Sequence, residues 1–205
     1  MTETEWLTCS DPHPMLEFLR GKASDRKLRL FAVACSRRIW SLIDPLGQAA
    51  VDVAEAYSDG LVGPDEMRAA RLACQGAGGK ASWYAAATKP EVAARNAARS
   101  AQVGFASNPL MGTEAGELEA QAVLLRDTFG LLPFRPVTLD LSMLTPTLVQ
   151  LAQVIYDDRT FDRMPELADA LHDAGCDSDE ILGHCRGPGP HVRGCWVLDP
   201  IMGKG

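Results

Sequence analysis

The chain has 205 residues, of which 46% are hydrophobic and 23% are charged, so it is long and apolar enough to bury a hydrophobic core. Its formal net charge of −7 excludes a strong bulk attraction to nucleic acid or to an anionic membrane surface. The N-terminal segment lacks the basic and apolar regions of a signal peptide, and no apolar run reaches the roughly 18 residues of a membrane span. We therefore expect a cytoplasmic protein, in which the six cysteines are thiols or metal ligands and not disulfides.

Proline and glycine residues divide the chain into segments with helical periodicity, and no segment alternates like a strand. This pattern predicts an all-α protein, a single globular domain of roughly nine helices over residues 1–205. The predicted helices begin at or near Pro12, Asp25, Pro45, Pro64, Pro90, Glu114, Thr145, Met164, Asp179 and His191.

The most apolar of these segments is Asp25–Ile43, where large apolar side chains recur every three or four residues. Basic residues are concentrated in the same region. They are predicted to form a solvated face that pairs with acids elsewhere, and nucleic acid is not expected to bind them. The basic residues are Arg20, Lys22, Arg26, Lys27, Arg29, Arg37 and Arg38.

Two segments interrupt the helical pattern. Residues 76–79 (GAGG) break a helix but do not form a phosphate-binding loop, because the Gly-Lys-Ser/Thr ending is absent and no strand precedes them. Residues 131–140 (LLPFRPVTLD) contain Pro133 and Pro136, which forbid a helix. A subdomain boundary is therefore possible near residues 131–144.

Both ends of the chain resemble a paralogue-rich group of uncharacterised bacterial proteins. The resemblance is carried by residues 4–40 (TEWLTCSDPHPMLEFLRGKASDRKLRLFAVACSRRIW) and by residues 134–199, which include LADALHDAGC and HCRGPGPHVRGCW. The segment 58–132 does not share it. The resemblance implies that the two ends belong together, and it assigns no activity, ligand or functional residue.

Histidine and cysteine residues are concentrated in Asp169–Trp196, which holds three of the four histidines and three of the six cysteines. They are His172, His184 and His191 together with Cys176, Cys185 and Cys195. The favoured interpretation is structural, because free cysteine is among the most often buried residue types. It goes with a non-enzymatic helical module of the cytoplasm that binds another protein and needs no cofactor.

A zinc site is the first alternative. The sequence predicts a last helix from His191 to Asp199, and on it His191 and Cys195 would project from one face because they are four residues apart. Cys176 and either His184 or Cys185 would complete a tetrahedral set of nitrogen and sulfur ligands. The absence of a CxxC pair argues against this alternative.

A cysteine-dependent enzyme is the second alternative. On the predicted last helix, His191, Cys195 and Asp199 lie on one stripe and imitate a base, a nucleophile and an orienting acid. Cys195 would then lie inside a helix and not at its N-terminus, where the helix dipole lowers the pKa of a thiol.

Overall fold

A computed structural model describes residues 1–75, 80–131, 133–135 and 139–204. Within these ranges the chain forms twelve α-helices and four short 3-10 segments and contains no strand, which confirms the all-α prediction. Nine of the α-helices have seven or more residues. No helix of the described part of the chain is both long and apolar enough to cross a membrane. The helices are α1 (Glu3–Thr8), α2 (Pro12–Phe18), α3 (Asp25–Arg38), α4 (Pro45–Ser58), α5 (Pro64–Ala73), α6 (Lys80–Ala85), α7 (Pro90–Ser107), α8 (Glu114–Phe129), α9 (Pro146–Asp158), α10 (Met164–Asp173), α11 (Asp179–Arg186) and α12 (Leu198–Ile201).

The chain divides into two compact units, Met1–Arg126 and Asp127–Gly205. The division falls within α8 and not in the predicted boundary region near 131–144, part of which lies outside the described residues. The prediction of one domain stays a prediction. The predicted breaker at residues 76–79 also lies outside the described residues.

The first unit is built around α3. Every residue from Lys27 to Ser36 is buried, because α3 packs against α4, α6 and α7. The α7 helix carries five buried alanines, and a methyl side chain lets neighbouring helix backbones approach closely. These alanines are Ala93, Ala94, Ala97, Ala98 and Ala101, all of them buried.

The α3 helix ends at Arg38, and its predicted extension to Ile43 is wrong. Residues Trp40–Leu42 form a 3-10 turn instead. The side-chain amide of Gln48 donates 3.1 Å hydrogen bonds to the carbonyls of Trp40 and Ile43, which partners the polar groups of this turn. The turn leads directly into α4, whose N-terminus is capped by Asp44.

The four arginines of α3 form ion pairs with acids of the same unit or donate to carbonyl groups. Asp59 and Glu117, which accept from Arg26 and Arg38, have side chains with 3% and 0% exposure. A guanidinium that is paired with a buried carboxylate attracts a polyanion less strongly, because the carboxylate offsets its positive charge. The ion pairs are Arg26–Asp59, Arg37–Asp52, Arg37–Glu55 and Arg38–Glu117.

The second unit has a separate hydrophobic core formed by α9, α10, α11, α12 and the segment before α12. Each of the longer helices begins at, or one residue after, a position that the sequence predicts as a helix start. The side chains of Thr145 and Ser178 accept hydrogen bonds from the backbone N–H groups of Leu148 and Ile181. The largest fully buried side chains described in this unit are Tyr156, Leu148, Ile155, Met164 and Leu167.

Candidate metal centre

Four ligand-type side chains of the second unit converge on one point. Asp127, His184, His191 and Cys195 each offer one oxygen, nitrogen or sulfur atom, and these four atoms lie within 4.8 Å of one another. His184 Nε2 is 3.2 Å from Asp127 Oδ1 and 3.2 Å from Cys195 Sγ. His191 Nδ1 is 2.8 Å from Asp127 Oδ1. The cluster therefore has the size and the donor types of a metal site.

Asp127 lies in the last turn of α8, and its side chain is 3% exposed. The side-chain carboxylate and the backbone carbonyl of Asp127 both accept hydrogen bonds from the C-terminal segment. The backbone N–H of Val192 donates to Asp127 Oδ2 at 2.9 Å, and the backbone N–H of Trp196 donates to the Asp127 carbonyl at 2.9 Å. The orientation of the carboxylate is therefore fixed by main-chain contacts, which leaves Oδ1 directed at the two histidines.

His184 is presented by α11, a helix that begins at the Ser178 cap and packs its Ile181 and Leu182 side chains into the core. The indole ring of Trp196 lies against the imidazole, with ring centroids 5.0 Å apart and planes tilted by 55°. His191 contacts the same imidazole edge to face, with centroids 4.8 Å apart. These contacts limit the rotation of the His184 ring and keep Nε2 directed at Asp127 and Cys195.

His191 and Cys195 lie in a non-helical loop, so the predicted helix from His191 to Asp199 is wrong. The final helix, α12, covers only Leu198–Ile201 and includes Pro200. Tertiary hydrogen bonds compete with helix formation here. The N–H groups of Val192 and Trp196 bond to Asp127, 65 and 69 positions earlier in the chain, and not to carbonyls one turn back.

The loop is fixed from its other side by Arg193. Its guanidinium donates 3.0 Å and 2.9 Å hydrogen bonds to the carbonyls of Tyr156 and Asp157, at the C-terminal end of α9. It also lies over the Tyr156 ring, 5.0 Å from the centroid. A cation at a helix C-terminus satisfies orphan carbonyls and complements the helix dipole. The ligand-bearing loop is thereby held in place by α9.

The charged form of Asp127 is favoured although the residue is buried. Burial alone raises the pKa of the carboxyl, but the hydrogen bonds and charges of His184 and His191 outweigh that effect and lower it. The thiol of Cys195 behaves in the opposite way. Burial and the neighbouring Asp127 charge raise its pKa well above the usual value, while hydrogen bonds from the backbone of Leu198 and Val197 oppose the shift.

Three of the four clustered residues, His184, His191 and Cys195, are among the zinc ligands that the sequence predicts. The other two predicted zinc ligands, Cys176 and Cys185, are buried in the hydrophobic core of the unit and are not members of the cluster. Burial raises the pKa of Cys185 to about 12. These two thiols therefore behave as small apolar side chains.

The catalytic triad of the cysteine-enzyme alternative, with His191 as base, Cys195 as nucleophile and Asp199 as acid, does not form in the structure. Asp199 is buried outside the cluster, and its backbone N–H donates to the carbonyl of Cys195 at 3.0 Å. It is His184, and not His191, that contacts the thiol. In a nucleophilic triad the acid bonds to the ring nitrogen away from the nucleophile. Here Asp127 and Cys195 share the same nitrogen, His184 Nε2.

Asp127 is not among the ligands predicted from the sequence. A signal was present, because Leu124, three residues before it on the same side of the predicted helix, is an apolar residue and is buried. An acid among apolar positions of a helix is buried only when it is paired or bound to a metal. Its partners lie about 60 residues later in the chain, so no spacing rule points to them.

Comparison with known proteins does not add a functional residue. No protein-family model, no curated protein and no solved structure matches the chain.

Proposed function

We propose that Asp127, His184, His191 and Cys195 form a structural zinc site that stabilises the second unit. The observation that carries the proposal is the position of His184 Nε2, 3.2 Å from both Asp127 Oδ1 and Cys195 Sγ. One ring nitrogen carries at most one proton, so at best it shares a single bifurcated hydrogen bond between the two atoms. A cation placed between the three atoms is attracted by all of them.

The distances support this proposal. In a tetrahedral zinc site, bond lengths of about 2.0–2.3 Å place neighbouring ligand atoms about 3.3–3.6 Å apart. The three measured contacts of 3.2, 3.2 and 2.8 Å are slightly shorter than that. Binding therefore needs these three contacts to lengthen by a few tenths of an ångström. It also needs the other ligand atoms, which lie up to 4.8 Å apart, to approach one another.

The charge of the site also supports zinc. An ionised Asp127 and a Cys195 thiolate carry two negative charges, and two neutral imidazoles add none. A divalent cation makes the buried cluster neutral, which removes the cost of an isolated buried charge. The backbone N–H groups of Val197 and Leu198 that bond to Cys195 Sγ stabilise a thiolate in the way that outer partners of metal ligands do.

A structural role is favoured over a catalytic one. Four protein ligands close a zinc tetrahedron, whereas catalytic zinc keeps one position open for water or substrate. The Asp127 and Cys195 side chains and most of His191 are buried, so substrate access is restricted. A zinc-stabilised helical module agrees with the non-enzymatic interaction role that the sequence predicts, and the partner protein of that module stays a prediction.

The proposal is tested by metal analysis of protein purified without chelator. We expect one zinc ion per chain in the wild type, and loss of zinc in Cys195→Ala and in His184→Gln. The matched controls are Cys176→Ala and His172→Gln, which remove a buried thiol and an exposed imidazole of the same unit outside the cluster. Both controls should keep their zinc. Metal-free wild-type protein, or equal zinc loss in the Cys176→Ala variant, would contradict the proposal.

A second measurement separates ligand loss from unfolding. Cobalt(II) added to the metal-stripped wild type should produce a sulfur-to-cobalt charge-transfer band together with the visible absorption of a tetrahedral site. In Asp127→Asn, which keeps the shape of the side chain, the sulfur band should persist at higher cobalt concentrations, because the thiol is intact and one anionic ligand is lost. A cobalt spectrum without a sulfur contribution would exclude Cys195 as a ligand.

A further inference from the structure

A cavity of about 250 Å³ lies in the first unit, among α3, α4, α5, α6 and the turn that follows α6. It is distinct from the metal centre, since all its lining residues belong to Met1–Arg126. Its walls combine cationic and aromatic side chains in a protein of net charge −7. The six lining residues that matter here are Arg29, Tyr57, Met67, Arg68, Arg71 and Trp83.

Arg29 gives the cavity a fixed positive wall. The residue is 5% exposed, and its guanidinium donates to the carbonyls of Ala85, Ala87 and Thr88, with the Ala87 bond at 2.6 Å. Burial lowers its pKa, yet a guanidinium remains charged at neutral pH. Among the described residues its hydrogen-bond partners are neutral carbonyls, so its charge is not cancelled by direct contact with a carboxylate.

Arg71 and Trp83 form a stacked pair at the same cavity. The Arg71 guanidinium lies over the indole ring, 4.3 Å from its centroid, and donates to Thr88 Oγ1 at 3.3 Å. Stacking holds a planar guanidinium in one orientation while leaving several of its donors available. Fixed donors next to an aromatic surface are suited to a ligand that has both a charged group and a ring.

Arg68 provides a second, adjustable cation. It follows Met67 on α5 and pairs with Asp65 at 3.1 Å, but both side chains are strongly exposed, at 72% and 86%. An ion pair this exposed contributes little free energy. A ligand anion can therefore replace Asp65 as the partner of Arg68 without a large energetic cost.

We propose that this cavity binds a small aromatic anion, a single ring that carries a phosphate or carboxylate group. The charged group contacts Arg68 and Arg71, and the ring packs against Trp83, Tyr57 and Met67. Ligand pockets for drug-sized molecules have volumes of about 300–1,000 Å³, so a cavity of about 250 Å³ accommodates one ring and one anionic group but not a dinucleotide. Guanidinium groups are the preferred partners of phosphate and carboxylate because they form two parallel hydrogen bonds.

The proposal is tested by calorimetric titration of the full chain with four probes. Phenyl phosphate and benzoate carry both the ring and the anion, benzyl alcohol carries the ring alone, and inorganic phosphate carries the anion alone. We expect saturable binding of at least one ring-bearing anion, at least tenfold tighter than binding of benzyl alcohol or inorganic phosphate. The stronger of phenyl phosphate and benzoate identifies the anionic group. Binding of inorganic phosphate or benzyl alcohol as tight as that of both aromatic anions would overturn the proposal, and so would no binding at all.

Variants locate the site. Arg71→Gln removes the stacked charge, and we expect it to weaken binding about tenfold or more, the scale of one lost charge-assisted hydrogen bond. Arg68→Gln should weaken it less, because Arg68 is more mobile. The matched control is Arg20→Gln, since Arg20 is also exposed, lies in the same unit and pairs with an acid three residues away. Unchanged affinity in Arg71→Gln, or an equal loss in Arg20→Gln, would overturn the assignment of the cavity.

Discussion

The indole ring of Trp196 lies directly against the α-carbon of Gly130. A β-carbon added to Gly130 would be 2.5 Å from Trp196 Cγ, closer than any side-chain carbon tolerates. Gly130 also has a φ of +52°, a backbone conformation that favours glycine. With the indole against Gly130, the Trp196 ring also contacts His184, and the backbone N–H of Trp196 donates to the carbonyl of Asp127. The residue that ends α8 therefore sets the position of the metal-centre loop.

Substitution Gly130→Ala should destabilise the second unit. We expect a loss of about 2–4 kcal/mol in the free energy of unfolding, from backbone strain and from displacement of the indole. The matched control is Gly175→Ala, which also has a positive φ but whose added β-carbon meets nothing within 4 Å. It should cost only the strain, about 1 kcal/mol. Chemical denaturation measures both variants, and an equal loss in the two would mean that the contact with Trp196 is unimportant.

Helix starts could be predicted from the sequence because they depend on adjacent residues. Asp11, Ser24, Asp44 and Thr145 all cap helices through their side chains, as the sequence indicates. A capping box at Thr2 was overlooked, although Glu5 stands three residues after it and both reciprocal hydrogen bonds form in α1. The residues next to a helix N-terminus are therefore sufficient to predict where the helix begins, at α1 as well as at the other four helices.

The metal-site candidate could be predicted only in part. His184, His191 and Cys195 attract attention because histidine and cysteine are rare and concentrated in one segment. Their grouping does not follow from spacing, since the loop that carries His191 and Cys195 is shaped by hydrogen bonds to Asp127 and α9. Helical periodicity predicted the wrong geometry there, because long-range polar contacts outweigh a modest helix propensity.

Substitution Ile39→Ala should destabilise the first unit, even though Ile39 caps α3 and lies outside it. The side chain is 5% exposed and packs at Gly104 of α7, where an added β-carbon would be 3.2 Å from Ile39 Cγ2. We expect a loss of about 2–5 kcal/mol from the cavity that the truncation creates. The control Leu42→Ala, at a side chain that is 41% exposed, should cost less than about 1 kcal/mol. Urea denaturation that gives equal losses would contradict this placement of the core.

Substitution Glu117→Ala should strongly destabilise the first unit, because the carboxylate is fully buried and joins two helices. Its oxygens accept 2.7 Å hydrogen bonds from Arg38 Nε and from the Gln121 side-chain amide. Removing the acid leaves a partly buried guanidinium without its partner, at a cost of about 3–5 kcal/mol. The control Glu17→Ala removes an exposed acid that pairs with Arg20 and Arg95, and should cost less than about 1 kcal/mol.

A double-mutant cycle checks this pair independently. If Arg38 and Glu117 interact directly, the combined substitution Arg38→Ala, Glu117→Ala should cost less than the sum of the two single losses. Additive losses would mean that the ion pair contributes nothing to stability. In that case, the stability lost in Glu117→Ala would come from its hydrogen bond with Gln121.

The thiols should differ sharply in their reactivity towards iodoacetamide. Cys9 is half-buried, whereas the other five cysteines are buried, so Cys9 should be labelled first in the native protein. Burial, reinforced by the Glu117 charge, raises the pKa of Cys35 well above its usual value. A raised pKa leaves less thiolate at any given pH, and only the thiolate reacts. Raising the pH from 7 to 9 should therefore leave Cys35 unlabelled until the chain unfolds. Mass spectrometry of tryptic peptides follows each site separately, and rapid native labelling of Cys35 would show that the first unit opens around α3.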